Sequence, residues 1–253
     1  LYVKDGVALC VTGMGKVNSA MTLQAILMDD RFDFSNAYII STGCAGSAIE
    51  YGVMGDVFVI TATVDYDLGH HADARELTTD VETTWFHDES YDDASHKILN
   101  QELCDKVYNL VKDVEIETTE KTRAFMAATF ENADWAIRDP KVLRGTTVTG
   151  DNYWKGQHGH ENALLMAETY ACPDPYALTE MEDNAMAVVL DRLGMLDRYI
   201  IIRDSVNTDV FMNGASPESL WDPNFVDSLA SESSVESADI FATAMKNNFT
   251  VGH

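Results

Sequence analysis

The chain has 253 residues, 46% of them hydrophobic, enough for one large domain with a substantial core. Its 42 acidic residues outnumber 17 basic ones, giving a formal net charge of -25. With no Lys/Arg cluster to offset that charge, nucleic-acid backbones and anionic membrane surfaces are repelled, and no apolar run reaches the roughly 18 residues that cross a bilayer.

Leu1-Tyr2-Val3 leads through Lys4-Asp5-Gly6 into residues 7–12 and reads as a hairpin whose first strand is mostly missing, so a further N-terminal segment is expected to precede Leu1. Residues 7–12, a short apolar run stopped by glycine, read as a buried strand. Gly13-Met14-Gly15-Lys16 is a turn, and residues 17–28 form a helix in which Ser19, Ala20 and Ala25 allow close packing. A second strand covers residues 37–41 and stops at Thr42-Gly43-Cys44-Ala45-Gly46; a third covers 56–63. Residues 65–100 are polar, rich in His and Asp, and read as a long excursion of loop and short elements.

The pattern then predicts an amphipathic helix over 101–114, a strand over 142–149 running into Gly150-Asp151-Asn152-Tyr153-Trp154, and helices over 161–170 and 184–193. A strongly apolar strand follows over 198–203, and residues 219–246 read as largely helical, broken around Asp222-Pro223-Asn224. No internal repeat and no Gly/Ser/Pro linker divides the chain. Alternating elements with buried strands predict a single α/β domain over 1–253, a three-layer α/β/α sandwich. In such sheets ligands sit beyond the carboxyl ends of strands, where Gly13–Lys16, Gly43–Gly46, Tyr153-Trp154 and Arg203–Asn207 all fall.

Among motifs, Glu180-Met181-Glu182 sets two carboxylates two residues apart around a methionine. Carboxylates suit a pair of neighbouring hydroxyls, such as a ribose diol, and methionine offers an adaptable apolar surface. Alone, the triplet is a common feature of solvated helix faces. The glycines of Gly13-Met14-Gly15-Lys16 let backbone approach a ligand at a helix N-terminus, although neither GxGxxG nor P-loop spacing is met and a plain tight turn explains them equally well. Cys10, Cys44, Cys104 and Cys172 form no CxxC pair, so a thiolate zinc site is not expected; one or two disulfides, and with them the compartment, stay open. Cys44 reads as an inert thiol rather than a nucleophile. His70-His71 with Asp65, Asp67 and Asp73 lacks metal-ligand spacing and reads as a loop or interface segment, while His158 and His160 read as a polar surface loop. No metal is predicted, and no GxSxG elbow is present.

Taken together, Gly13-Met14-Gly15-Lys16-Val17-Asn18-Ser19-Ala20, Ser41-Thr42-Gly43-Cys44-Ala45-Gly46, Gly55-Asp56-Val57-Phe58-Val59 with Asp65-Tyr66-Asp67, and Glu180-Met181-Glu182 resemble, in order and spacing, the signatures of the nucleoside phosphorylase and nucleosidase superfamily. Gly150–Gly156, and Arg203 followed by Asn207-Thr208-Asp209, bring the chain closest to its purine nucleoside permease family. The resemblance implies a phosphorylase/hydrolase-like fold with a mixed, partly barrel-like sheet. It also implies a small-molecule purine nucleoside as ligand, no cofactor, and a homo-oligomer (dimer, trimer or hexamer).

The same resemblance implies roles for individual residues. Glu182 binds the ribose hydroxyls, with Met181 packed on the sugar and Glu180 in support. Tyr153, Trp154, Asn207, Ala45 and Gly46 face the base; Gly15, Lys16, Cys44 and Arg203 face the water or phosphate. Arg203, Asn207 and Glu182 carry the catalysis, with Asp204 or Asp209 as alternative acids. The expected reaction is cleavage of the N-glycosidic bond. Ser41, where hexameric phosphorylases carry arginine, leans the expectation toward hydrolysis, with phosphate as the alternative co-substrate. Nucleosidases also place a catalytic glutamate near a first strand that this sequence lacks, and Cys44 replaces a serine. A non-catalytic nucleoside-binding protein assisting uptake is therefore the alternative expectation, and a storage or structural relative a third.

Overall fold

The computed structural model describes residues 1–78, 83–129, 138–211 and 234–252. Its strands are β1 (Tyr2–Lys4), β2 (Val7–Leu9), β3 (Ile39–Ser47), β4 (Val57–Asp65), β5 (His70–His71), β6 (Trp85–Phe86), β7 (His96–Ile98), β8 (Val142–Thr149), β9 (Tyr176–Glu180) and β10 (Tyr199–Thr208). The helices are α1 (Lys16–Leu27), α2 (Asp92–Ser95), α3 (Gln101–Val111), α4 (Glu120–Thr129), α5 (Gln157–Thr169), α6 (Asp183–Arg192) and α7 (Ser234–Gly252). None among the described residues is long and apolar enough to cross a membrane.

β4 shows why the sheet forms. Its run Val-Phe-Val-Ile-Thr-Ala-Thr-Val-Asp is rich in β-branched residues, and all nine positions are buried. It pairs in parallel with β8 and antiparallel with β7 and β10. β10 also runs parallel to β3, β3 meets β9 through Gly46 and Ser47, and β9 lies parallel to β8. Following the pairings around, β10–β3–β9–β8–β4 returns to β10, so the mixed sheet closes into a barrel-like ring with β7 flanking β4. This is the expected α/β class with a barrel-like mixed sheet. Helices cover the ring: α1 pairs with α6, α7 lies along β10 and β3, α3 along β4 and β8, and α5 along β8 and β9. The largest core cluster joins Leu23 of α1 and Met186 and Leu190 of α6 to Phe58, Ile60, Leu178, Tyr199 and Ile201 of the strands.

Several expectations are corrected. Residues 7–12 are not a buried strand: β2 pairs only with β1, and both are exposed. Asp5 and Gly6 both adopt positive φ (51° and 80°), the two-residue turn that folds a chain straight back on itself. β3 does not stop at residue 41 but continues through Thr42–Gly46 to Ser47. The polar excursion holds a small two-stranded β5–β6 sheet and the flanking strand β7. His158 and His160 sit on α5, not on a surface loop, and His160 is fully buried. β9 was not predicted as a strand. The four cysteines are free thiols. The helix break expected around residues 222–224 lies outside the described residues.

The start of β4 is anchored by Asp56, which is completely buried. Its carboxylate takes a two-pronged contact from Arg138 and bonds from the Val53 and Lys141 amides, each 2.8 Å. Its carbonyl accepts from Ser205 N–H at 2.9 Å, pinning the start of β4 to β10. Removing the acid leaves Arg138 and two amides without their acceptor. Asp56→Ala should therefore lose about 3–5 kcal/mol of stability, read as a lowered midpoint in urea unfolding.

Candidate functional site

The predicted residues converge where the C-terminal ends of β3, β9 and β10 meet the start of α6. The centre is Arg203. It is 5% exposed, and its guanidinium faces three carboxylates. It grips Asp183 through Nε (2.9 Å) and Nη2 (2.8 Å), and Nη2 also reaches Glu182 at 3.1 Å and Glu180 at 3.3 Å. Nη1 donates to the Cys44 carbonyl at 3.1 Å. A Cβ at Gly43 would lie 2.8 Å from Nη1, so glycine clears the path of this side chain across β3.

Each carboxylate has its own support. Glu180, the last residue of β9, accepts from Thr147 at 3.1 Å and from Thr149, and its other oxygen takes the amides of Glu182 (2.6 Å) and Asp183 (2.8 Å) at the head of α6. Burial, reinforced by the Asp183 charge and opposed by Arg203, pushes its carboxyl up to about 7. Asp183 is also bonded by the Ser41 hydroxyl at 2.7 Å. Glu182 is the accessible member: Oε1 accepts from Gly15 N–H at 2.9 Å, Oε2 faces Arg203, and its side chain keeps 15% exposure. Met181, beside it, is half-buried.

Gly15 caps α1 with a positive φ of 94°. Lys16 starts that helix; its amide donates to Asp151 at 2.8 Å and its ammonium bridges Asp65 (2.9 Å) and Asp67 (2.8 Å). Burial disfavours the Lys16 charge, but the two aspartates outweigh it and hold its pKa above the ordinary value. Burial and the nearby Asp204 push the Cys44 thiol up, away from a thiolate nucleophile.

A second group lies beside the first. Asn207, near the end of β10, stands opposite Gly46 in the ladder, and a Cβ at Gly46 would come within 2.6 Å of Asn207 Oδ1. Asn207 Nδ2 donates to the exposed Tyr153 hydroxyl at 3.4 Å, and Ala45 is buried alongside Gly46. Trp154 is not part of this group. Its ring stacks on Tyr66 (centroids 4.9 Å apart, 16° between planes), leans on Tyr176 and covers Gly159. Asp204 points to α7, where Asn248 Nδ2 donates to Oδ1 at 2.6 Å, while Oδ2 is buried without a hydrogen-bond partner among the described residues. Burial pushes Asp204 up to about 6.

Sequence reasoning missed Asp183, the closest partner of Arg203, and the hydroxyls of Ser41, Thr147 and Thr149. The available signal was an acid at the first position of a helix directly after a proposed ligand-binding triplet. Among the described residues no group of three or more His, Cys, Asp or Glu side chains could hold a metal ion.

The family model for purine nucleoside permease (NUP) matches residues 1–253. A protein of Schizosaccharomyces pombe described as a probable purine nucleoside permease is 28% identical over 221 residues, covering 78% of this chain and 63% of that protein. The chain thus spans less than two thirds of that relative's length. A 5'-methylthioadenosine/S-adenosylhomocysteine nucleosidase of Anoxybacillus flavithermus is 28% identical over 197 residues, covering 78% of this chain and 66% of that protein. The crystal structure of the corresponding nucleosidase from Neisseria meningitidis, in complex with methylthio-immucillin-A, superposes with a TM-score of 0.53 at 18% identity over 95% of this chain and 76% of that one. That likeness establishes the fold.

Glu180 and Asp204 both contribute to the pH dependence of stability. Both hold protons in the folded state above their ordinary values of 4.5 and 3.8. Their stabilising contribution is complete below those values and is lost as pH rises toward about 7 and about 6. Unfolding free energy should therefore fall with rising pH across this window. Glu180→Gln and Asp204→Asn should each flatten the slope of denaturation midpoint against pH, whatever they do to the absolute stability.

Proposed function

The chain belongs to the purine nucleoside permease family, and from that premise we propose that it binds purine nucleosides and cleaves their N-glycosidic bond with water as the nucleophile. The observation that carries this reading is the state of the cations and amides around Glu182. Gly15 N–H is taken by Glu182, Lys16 N–H by Asp151, the Lys16 ammonium by Asp65 and Asp67, and Arg203 by three carboxylates. A phosphate dianion needs such donors free, and here it would meet acids already seated on them. Water needs none.

The same charge balance suits the reaction. Breaking the bond builds positive charge on the sugar and negative charge on the leaving base. One guanidinium among three carboxylates leaves the sugar end net negative, which favours a cationic transition state. Glu182 can accept from two ribose hydroxyls while keeping Gly15 and Arg203, because each carboxylate oxygen has two lone pairs. Met181 supplies the apolar wall. At the other end Asn207 presents both a donor and an acceptor beside Tyr153 and the small residues Ala45 and Gly46, a match for a 6-oxopurine edge.

Asn207 also favours a second reading, capture of nucleoside without cleavage. An amide has no transferable proton to offer the departing base, where an aspartate at the same place would.

Incubation with inosine, guanosine and adenosine, with and without phosphate, separates these readings. Release of free base without phosphate is expected. Release only with phosphate overturns the choice of water, and tight binding without release establishes capture. Glu182→Ala should weaken nucleoside affinity about 100-fold with an unchanged circular dichroism spectrum, from the loss of charge-assisted bonds to the diol. Unchanged affinity would move the sugar elsewhere. Asn207→Asp should shift the ratio of inosine to adenosine affinity by about 10-fold toward adenosine; an unmoved ratio would take Asn207 out of the base site.

A further inference from the structure

We infer that Asp209, held by His160 and Tyr176, is a positioning residue that fixes the Tyr153 loop against the end of β10 and so sets the geometry of the base end of the site. The inference rests on the nucleoside reading for its functional consequence, but the clasp itself stands on contacts outside the Arg203 cluster.

Asp209 lies one residue beyond β10, two after Asn207. Its side chain and that of His160 are both completely buried, and Oδ2 meets His160 Nδ1 at 2.6 Å. The Tyr176 hydroxyl, at the start of β9, donates to the same oxygen at 2.9 Å. The backbone of Asp209 is tied on both sides: its N–H donates to the Ser47 carbonyl at 3.0 Å, and its carbonyl accepts from Gly156 N–H at 2.7 Å. One residue therefore joins the ends of β3 and β10, the start of β9, α5 and residues 150–156. The loop between has little slack. A Cβ at Gly156, where φ is 122°, would lie 3.0 Å from Phe211, and one at Gly159 would lie 2.5 Å from the Trp154 ring. Tyr153 and Asn207, bonded at 3.4 Å, are the two side chains held at fixed relation by this arrangement.

An ordinary core contact would not be built this way. A buried ionic pair is seldom the most stable filling for such a space. Here Asp209 Oδ1 has no hydrogen-bond partner among the described residues, so stability is given up for placement. Beyond the pair, His160 Nε2 lies 2.8 Å from the Glu50 carboxylate but without hydrogen-bond geometry, and the Glu50 side chain is 64% exposed. The groups facing His160 are Asp209, Glu50 from the turn after β3, Glu161 from its own helix and the Tyr176 hydroxyl; Lys155 stands in the field of Asp209. Burial opposes the imidazolium, but Asp209, Glu50 and Glu161 outweigh it and hold its pKa above the ordinary 6.5. The charged pair is therefore present at lower pH and is lost as pH rises through that raised value, which loosens the clasp on the alkaline side.

The test uses the full chain. Hydrogen exchange across residues 150–157 without nucleoside reads the clasp directly. Asp209→Asn, and the milder Tyr176→Phe, should each speed it about 10-fold while β4 stays protected. Inosine affinity against pH reads the consequence. It should weaken in the wild type as pH rises through the range of His160, and His160→Gln should bind about 10-fold more weakly at neutral pH and lose the share of that dependence that Glu180 and Asp204 do not supply. Unchanged exchange in both Asp209→Asn and Tyr176→Phe overturns the inference, as does a His160→Gln variant that binds inosine as tightly as the wild type at neutral pH. Faster exchange in a protein whose wild type binds neither inosine nor adenosine supports the clasp and removes the nucleoside reading instead.

Discussion

A single guanidinium holding three carboxylates organises this molecule. Arg203 comes from β10, Glu180 from the end of β9, and Asp183 and Glu182 from the start of α6, so their contacts tie two strands of the ring to the helix that covers it. None of the three acids could occupy this interior unpaired, because a lone buried carboxylate carries a desolvation cost that it meets only by taking up a proton or a counter-ion. The cluster divides that burden. Asp183 receives two bonds from Arg203, Glu180 is supplied by two threonine hydroxyls and two amides, and Glu182 is left at the edge with part of its surface in solvent. The geometry separates two structural acids from one that can meet a ligand.

Glycine makes the cluster reachable. At Gly43 and Gly46 the sheet lacks side chains on the positions facing Arg203 and Asn207, and a methyl group at either would sit closer than 3.0 Å to a polar atom of that residue. The small residues after the second predicted strand therefore have a steric purpose: they let side chains of β10 lie flat across β3. The contacts at these glycines are of side chain over strand.

Much of the fold was legible because periodicity and burial agreed. β4 and β8 are buried apolar and threonine-rich runs, α6 ends at a glycine with a φ of 67°, and α3 carries an apolar stripe with an Asn100 cap. β9 is hard to read from sequence because Tyr-Ala-Leu-Thr-Glu is short and its last residue already belongs to the acidic triplet. β2 failed differently. Its apolar composition argues for burial, but the Asp5-Gly6 turn pairs it with β1 outside the ring. Gly15, far away in sequence, comes together with Glu180, Glu182 and Arg203, while Trp154, partly buried, stacks on Tyr66 and leans on Tyr176. His160 was misjudged because a histidine between Gly159 and Glu161 carries no local mark of its partner. Asp209 is 49 residues away, and only the ring brings them to 2.6 Å.

The distribution of charge within the site bears on its chemistry more than the net charge of the chain does. An excess of acid over the whole surface speaks to solubility and to which polymers are repelled. Inside, acids are placed so that the Lys16 and Arg203 cations and the Gly15 and Lys16 amides at the head of α1 are already engaged. A helix N-terminus is ordinarily an invitation to an anion. Here the invitation is answered from within, by Glu182 and Asp151. In the proposed reaction that internal occupancy does two things at once. It denies phosphate a seat beneath the sugar, and it leaves negative charge where the sugar turns cationic. Selectivity for water and stabilisation of the transition state then arise from one arrangement, so a variant that frees the donors for phosphate also weakens the field that favours cleavage. The choice of nucleophile is thereby tied to the chemistry itself rather than to a separate gate.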